Sequence, residues 1–505
     1  MARTLTNNMS LAYAVEASVG TLPGSPTWKL LEPNDLGAYG ATITTVARRP
    51  ISKNRQKQKG AVTDLDSTVE FEADLTMDSF ADFAAVFTFA EPTNTNVFFR
   101  AANVGAGGYT ITAATPSQAA KLQWVTSAQA SLVWAQGYVN AANNGLKVLT
   151  ADTGSGGTTI AFSGAVVETA PANATVEIAG IRSPSGDLAI TVAGASATMT
   201  SAAAINFTTL GLTVGQFIHI GGTTTTNQFT NGKGYARVVT IAAATLTLDK
   251  VTGTLVTDAN TATPKAVDIL FGRFIRNVAV DAAATDNQYF EKSLQFEAAF
   301  ADLASVGTPE YEYAKGNYCN EMTFNLPLAD KATLGLGFIG TDTEVPTTTR
   351  KTNAATPLTP VLRTAFSTAG DIVSLRTSAV AASDTCFKSV TLTLNNNVSA
   401  EKCLGTLGAT YMNAGIFEVM VEAQMLYTDG AIINAIRNNT TVTMDFILKN
   451  ENGAIAVDLP AMTLGGGDRE FPADESVLVN LTGEAFADPT LNTSIGFSLF
   501  PVVPS

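Results

Sequence analysis

The chain has 505 residues but only one histidine and three cysteines. With His219 alone, a His₂ or His₃ metal centre within one chain is impossible. Any Ser-His-Asp or Cys-His catalysis would have to use that one imidazole. Cys319, Cys386 and Cys403 are odd in number and form no Cys-x-x-Cys, which argues against a disulfide framework and a zinc site. Three tryptophans give little support for a carbohydrate-stacking cleft. No run reaches the ~18 apolar residues of a membrane span, so no membrane partner is expected. The opening residues lack the apolar core of a secretory signal, so synthesis in the cytoplasm is the expectation, and acceptor-like sequences such as those at Asn173, Asn397 and Asn438 are expected to carry no glycosylation. Charge is scarce too, at 15% of residues against 46% hydrophobic. Thr, Asn, Ala, Gly and Ser take its place, and a surface of that kind is easily desolvated against other subunits. The net charge of −14 disfavours bulk attraction to nucleic acid.

The motifs that suggest chemistry have ordinary explanations. His219 sits in Phe217-Ile-His-Ile220, a strand-like setting without a Gly-x-Ser-x-Gly elbow. Gly335-Leu-Gly337-Phe-Ile-Gly340 matches the dinucleotide fingerprint, but Thr341-Asp-Thr-Glu-Val-Pro346 follows and cannot start the required helix. Those glycines are expected to allow close backbone approach or a bulge in a strand. Gly465-Gly-Gly467 reads as a loop. Carboxylate pairs are plentiful, which keeps a glycoside-hydrolase dyad open. No cofactor or catalytic residue is assigned.

What is present is a pattern that occurs twice. Val69-Glu-Phe71-Glu-Ala73-Asp-Leu75 alternates apolar and acidic residues and runs into an amphipathic segment, 77–87, with Phe80, Phe83 and Phe87 at helical spacing. Phe417-Glu-Val419-Met-Val421-Glu-Ala423 runs likewise into a helix at about 429–438. An Asp or Thr stands before each helix to cap it. A duplicated strand-and-helix unit with few catalytic side chains points to a building block.

The expected fold class is mainly β, with two sandwich units that each carry one short helix. Residues 1–96 together with 277–344 form a first, split unit. Between them, the Gly/Thr/Ala-rich stretch reads as two inserted β modules, 97–185 and 186–276. The first module has Leu132–Gln136, an Asn144-Gly145 turn and a closing Val176–Ile178. The second has Leu212–Gln216, an Asn231-Gly232 turn and a closing Val267–Ile269. The matching order indicates a tandem pair, with two unrelated small sandwiches as the alternative. Residues 345–360 are a linker by composition, and 361–505 form the second unit.

Charge is segregated. Arg48, Arg49, Lys53, Arg55, Lys57 and Lys59 crowd one arm without an acid, whereas 60–99 holds no Lys or Arg but carries Asp64, Asp66, Glu70, Glu72 and Asp74. Glu418 and Glu422 repeat the acidic face in the second copy. A solvated loop beside a solvated strand would explain this. So would a basic arm docking on the acidic surface of an identical copy, a head-to-tail contact that generates stacks.

Leu11-Ala-Tyr13-Ala-Val-Glu16-Ala-Ser-Val-Gly20-Thr-Leu-Pro23 with Pro26 and Trp28, the arm Arg48–Arg55, the Phe71-to-helix segment, and Tyr313-x-x-Gly316 leading to Asn320-Glu-Met-Thr-Phe324 together resemble the major tail tube proteins of long, non-contractile-tailed (siphovirus-type) bacteriophages. The resemblance covers the flanking regions, with 97–276 similar to immunoglobulin-like decorations. It implies a virion structural protein, assembled in the host cytoplasm, that forms stacked rings with itself. Tape measure and tail terminator or tip proteins would be its partners, and DNA would pass transiently through an acidic lumen. Two units per chain imply a trimeric ring with pseudo-sixfold symmetry, and a true hexamer is the alternative. A glycan-active enzyme with β accessory modules and a capsid or head–tail joining protein remain the readings from other classes.

Overall fold

The computed structural model describes residues 4–51, 53, 56–94, 98–110, 130–150, 159–202, 204–280, 289–302, 305–351, 356–380 and 385–502. Arg55 lies outside the described residues. Both alternating segments are strands, and both helices follow them. The first half contributes β1 (Thr4–Val15), β2 (Pro33–Arg48), β3 (Gln58–Asp74), α1 (Met77–Phe87), β4 (Leu294–Asp302), β5 (Ser305–Leu326) and β6 (Thr333–Gly340). The second contributes β7 (Ile372–Thr377), β8 (Phe387–Asn395), β9 (Glu418–Leu426), α2 (Ala431–Arg437), β10 (Val442–Asn450), β11 (Gly453–Glu470) and β12 (Leu478–Ala485), and then β13 (Gly496–Phe500). With three short strands these make one 16-stranded sheet system.

The same order of six strands and one helix thus occurs twice. In each half, the hairpin before the helix pairs with the last strand, and that strand pairs with the last but one. The result is an eight-strand run, β2-β3-β6-β5-β8-β9-β12-β11. The first part of β5 pairs β4, which pairs β1. The first part of β11 likewise pairs β10, which pairs β7.

The first helix is capped as expected: the Thr76 hydroxyl accepts a hydrogen bond from the Ser79 amide at 3.3 Å. At the second, the cap position is Gly430, without a side-chain bond, and Asp429 just before it accepts one from the Ala431 amide at 2.8 Å. Phe80, Phe83 and Phe87 are fully buried, each contributing about 1.5–3 kcal/mol through area removed from water. Phe80 lies 5.2 Å from both Phe324 and Phe497, so α1 ties together both halves of a single core that runs from Leu11 to Leu499.

The region 98–270 folds into a separate ten-stranded sheet with a small three-stranded one beside it. The two expected modules share that sheet. Thr175–Arg182 pairs Asp268–Leu270, and one hydrophobic cluster runs from Phe99 to Phe271. Leu212–Gln216 is a turn leading into Phe217–Ile220 and not a strand. Asn144-Gly145 is not a two-residue hairpin turn either. An eight-residue connection joins Ala130–Gln136 to Gly145–Val148, and the Asn144 amide closes it by bonding the Tyr138 backbone N–H at 2.9 Å and C=O at 2.7 Å.

This region docks on the second half. Phe217 and Tyr235 pack with Ile447, Ala454, Ala456 and Phe500. Beside them Asp458, 3% exposed, receives Arg237 at 2.8 Å and Lys250 at 2.5 Å. Asp445, 2% exposed, receives Lys250 at 3.2 Å and Arg376 at 2.8 Å. Burial alone would raise the Asp458 carboxyl, but Lys250 and Arg237 outweigh it and hold it below the usual carboxylate range.

Candidate assembly surfaces

The eight-strand run is buried on one face only. Val69, Phe71, Leu336, Phe338, Met322, Phe324, Leu392, Leu394, Val419 and Val421 point into the core. Period two then turns Glu70, Glu72, Glu321, Glu418, Glu422 and Glu484 to the other face, where all are exposed. The outward positions 66–74, 321–325, 391–395, 418–424 and 480–484 contain no Lys or Arg. Gly335 and Gly337 keep β6 bare in the middle of this face. A Cβ at Gly337 would sit 3.7 Å from the Glu321 side chain and 3.9 Å from that of Glu70. Asp74, at the end of β3, is paired to Lys331 at 2.7 Å. Glu321 and Glu484 were not singled out in the sequence. The alternation around Met322 and Phe324 carried the signal for the first.

The basic arm is the tip of a long hairpin. β2 and β3 pair from Pro33↔Ala73 out to Arg48↔Gln58, with the outer part exposed. Arg48, Arg49, Lys53, Lys57 and Lys59 are all solvent-exposed or nearly so around that tip. The apolar side chains Ile43, Val46, Ile51 and Val62 are more than half exposed along the same hairpin. The second half has only a short hairpin at the corresponding place, Ser399–Glu401 with Tyr411–Asn413.

Asp64 and Asp66 are not free acids. Lys402, from that short hairpin, bonds Asp64 at 2.6 Å and Asp66 at 2.7 Å. The hydrogen bond from Lys402 holds the Asp64 carboxyl below its ordinary range. The structure brings Glu70, Glu72, Glu418 and Glu422 onto one face and sets Asp64, Asp66 and Asp74 apart in ion pairs.

His219 is 4% exposed and stacks edge-on against Tyr235 at 4.7 Å. Its Nδ1 lies 3.0 Å from the Gly221 carbonyl oxygen, and burial pushes the imidazole down to about 3. Gly335, Gly337 and Gly340 lie in a strand, and a Cβ at Gly340 would meet Asn317 at 2.5 Å and Ser67 at 2.9 Å. The expected loop at Gly465–Gly467 is instead part of β11. A bulge lies between Gly466 and Asp468, where positive φ at Gly466 and Gly467 lets the strand bend. Among the described residues, no group of three or more His, Cys, Asp or Glu could hold a metal ion, and no helix is long and apolar enough to cross a membrane.

A sequence model of one protein family, described as phage tail tube protein, matches residues 237–485. The chain is a phage tail tube protein. The matched span begins in the inserted region and ends with β12, so it contains β5, β6 and all of the second six-strand unit. The family places the chain in the virion tail and makes its assembly into a tube, together with other tail proteins, the setting for these surfaces. No curated protein matches the chain.

Proposed function

We propose that this tail tube protein forms rings of three chains with pseudo-sixfold symmetry, and that the rings stack into the tail tube of a siphovirus-type phage. The observation that carries the proposal is the doubled strand order. Each half supplies four strands to the eight-strand run, so each chain fills two ring positions. The outward face with Glu70, Glu72, Glu321, Glu418, Glu422 and Glu484 lines the lumen. DNA phosphates are repelled from such a surface and slide along it. The Arg48–Lys59 hairpin reaches the next ring, with its exposed Ile43, Val46 and Val62 packing beside the charges. The protein's partners, by the family resemblance, are the tape measure protein and the tail terminator or tip proteins. The chain acts as a structural element and not as an enzyme.

Mass per unit length of assembled tubes, combined with an averaged view down the axis, tests the stoichiometry. Three 52.5 kDa chains per ring are expected. Six chains per ring would overturn the assignment of both halves to the ring.

A further inference from the structure

The chain already contains one joint between two units. β5 and β8 pair antiparallel from Glu321↔Asn395 to Leu326↔Val390, which joins the two repeats inside one sheet. At the ends of the run, among the described residues, β2 pairs only β3, and the part of β11 after Met462 pairs only β12. We propose that residues 465–471 of one copy pair with residues 36–42 of a second copy, in the register of the β5·β8 joint. The inference rests on the ring reading above and specifies its seam.

The register comes from matching turns. Asn325↔Thr333 and Glu470↔Leu478 close turns of equal length, which open with Leu326-Pro327 and Phe471-Pro472. In each turn the fourth residue has positive φ, +54° at Ala329 and +62° at Asp474. Leu326 therefore corresponds to Phe471, and Asn325 to Glu470. On the other strand, Asp74 and Leu426 occupy equivalent places, opposite Thr333 and Leu478. Counting back puts Phe71 with Ala423, so their partners Leu36 and Val390 correspond. Ala38 and Thr391, the partners of Glu70 and Glu422, correspond in the same way. The internal pairs Leu326↔Val390, Phe324↔Leu392 and Asn325↔Thr391 then translate into Phe471↔Leu36, Arg469↔Tyr39 and Glu470↔Ala38 between copies.

The side chains agree with this translation. Leu326 is 5% exposed in the internal joint, whereas Phe471 is 74% exposed at the edge. Phe471 set against the half-buried Leu36 makes an apolar cross-strand pair. Arg469 already stacks on an aromatic ring, that of Tyr427 at 4.5 Å, and Tyr39 offers it a second one. Unpaired strand edges are templates for another chain, and soluble proteins blunt them with Pro or Lys. Neither 36–42 nor 465–471 contains either residue, and the charges on the second edge are Asp468, Arg469 and Glu470.

The test is a disulfide across the seam. Ala38→Cys and Glu470→Cys are combined in one chain, with the exposed Cys386 and Cys403 changed to Ser. Directly opposed residues bring their Cβ atoms within about 4.5–5.5 Å, close enough to bridge with slight adjustment. After oxidation of assembled tubes, a non-reducing gel should show covalent dimers and trimers and nothing larger, while each single-cysteine chain stays monomeric. Tubes that form without cross-links would overturn the seam and leave the ring reading standing. A parent chain that never leaves the monomeric state would remove the ring reading and the seam with it. A ladder that runs on to six would support the seam and overturn the threefold count. Independently, Phe471→Asp should give a chain with the parent's melting temperature that does not assemble, whereas Phe471→Leu should assemble. Normal tubes from Phe471→Asp would overturn the proposal.

Discussion

Lys402 is hydrogen-bonded to Asp66 at 2.7 Å across 336 residues of sequence. It also holds Asp64, so the short hairpin of the second half grips the base of the long hairpin of the first. Lys402→Ala should leave the melting temperature unchanged, because exposed ion pairs contribute little to global stability. Amide exchange in 58–66 should become faster, and tube assembly slower. The Asp64 carboxylate is favoured in the folded chain, so the grip is complete at neutral pH and is lost as the pH falls through its depressed folded pKa. Unchanged exchange at 58–66 would show that the arm is held by other contacts.

His219 contributes to the acid sensitivity of the fold. Its folded pKa of about 3 lies below the unfolded value of about 6.5. The unfolded chain therefore takes up a proton that the folded chain refuses. The contribution is fully present above pH ~6.5 and declines as the pH falls toward 3, by about 2 kcal/mol at pH 5. Urea titrations at pH 7 and pH 5 should show that His219→Gln loses about 2 kcal/mol less than the parent over this interval. Equal losses in the two proteins would show that the imidazole is not kept neutral.

Replacing Arg48, Arg49, Lys53 and Arg55 by Ser should leave a folded protein that no longer stacks. High salt should weaken stacking of the parent for the same reason, the Debye length being about 3 Å at 1 M. Sedimentation and electron microscopy distinguish rings from tubes. Full-length tubes from the substituted chain would refute the bridging role of the arm.

The inserted region bears on stability as well as on the surface. Lys250 reaches both Asp445 and Asp458, so Lys250→Ala should cost about 3–5 kcal/mol by leaving buried carboxylates short of a partner. Removal of residues 100–274 should also destabilise the chain, because Asp445 and Asp458 face each other across the sheet and Arg376 would be their remaining partner, even though the ends lie close enough for the Thr93 amide to bond the Phe274 carbonyl at 2.9 Å. Adding Asp445→Asn and Asp458→Asn to the deletion should restore a soluble chain, measured by thermal melting and gel filtration. A deletion that folds equally well without those changes would show that the network is dispensable.

The strand-and-helix signature was legible because periods of two and 3.6 are local properties. Val69 to Leu75 and Phe80 to Phe87 needed nothing from the rest of the chain. The alternation of Glu70, Glu72, Glu418 and Glu422 likewise announced a polar face. Contacts between distant segments were not legible. Nothing near Asp64 points to Lys402, and nothing near Asp458 points to Arg237 or Lys250. The sharing of one sheet by the inserted modules depends on Gly180↔Leu270, a pairing that neither module's own pattern requires. Asn144-Gly145 misled because side-chain amide bonding, and not paired positive φ, closes that connection. The correspondence of Leu326-Pro327 with Phe471-Pro472 was visible as residues but acquired meaning only from the strand order.

The long hairpin at 33–74 and the short one at 399–413 have a consequence for whatever caps the tube. Joining two ring positions in one polypeptide frees them to diverge, since a substitution in one is not copied into the other. In a ring of three such chains, long and short hairpins alternate around the rim from which they project. A terminating protein with true sixfold symmetry would then meet two kinds of neighbour and would have to tolerate both. One with threefold symmetry could read the alternation as a rotational index that fixes its angle on the tail.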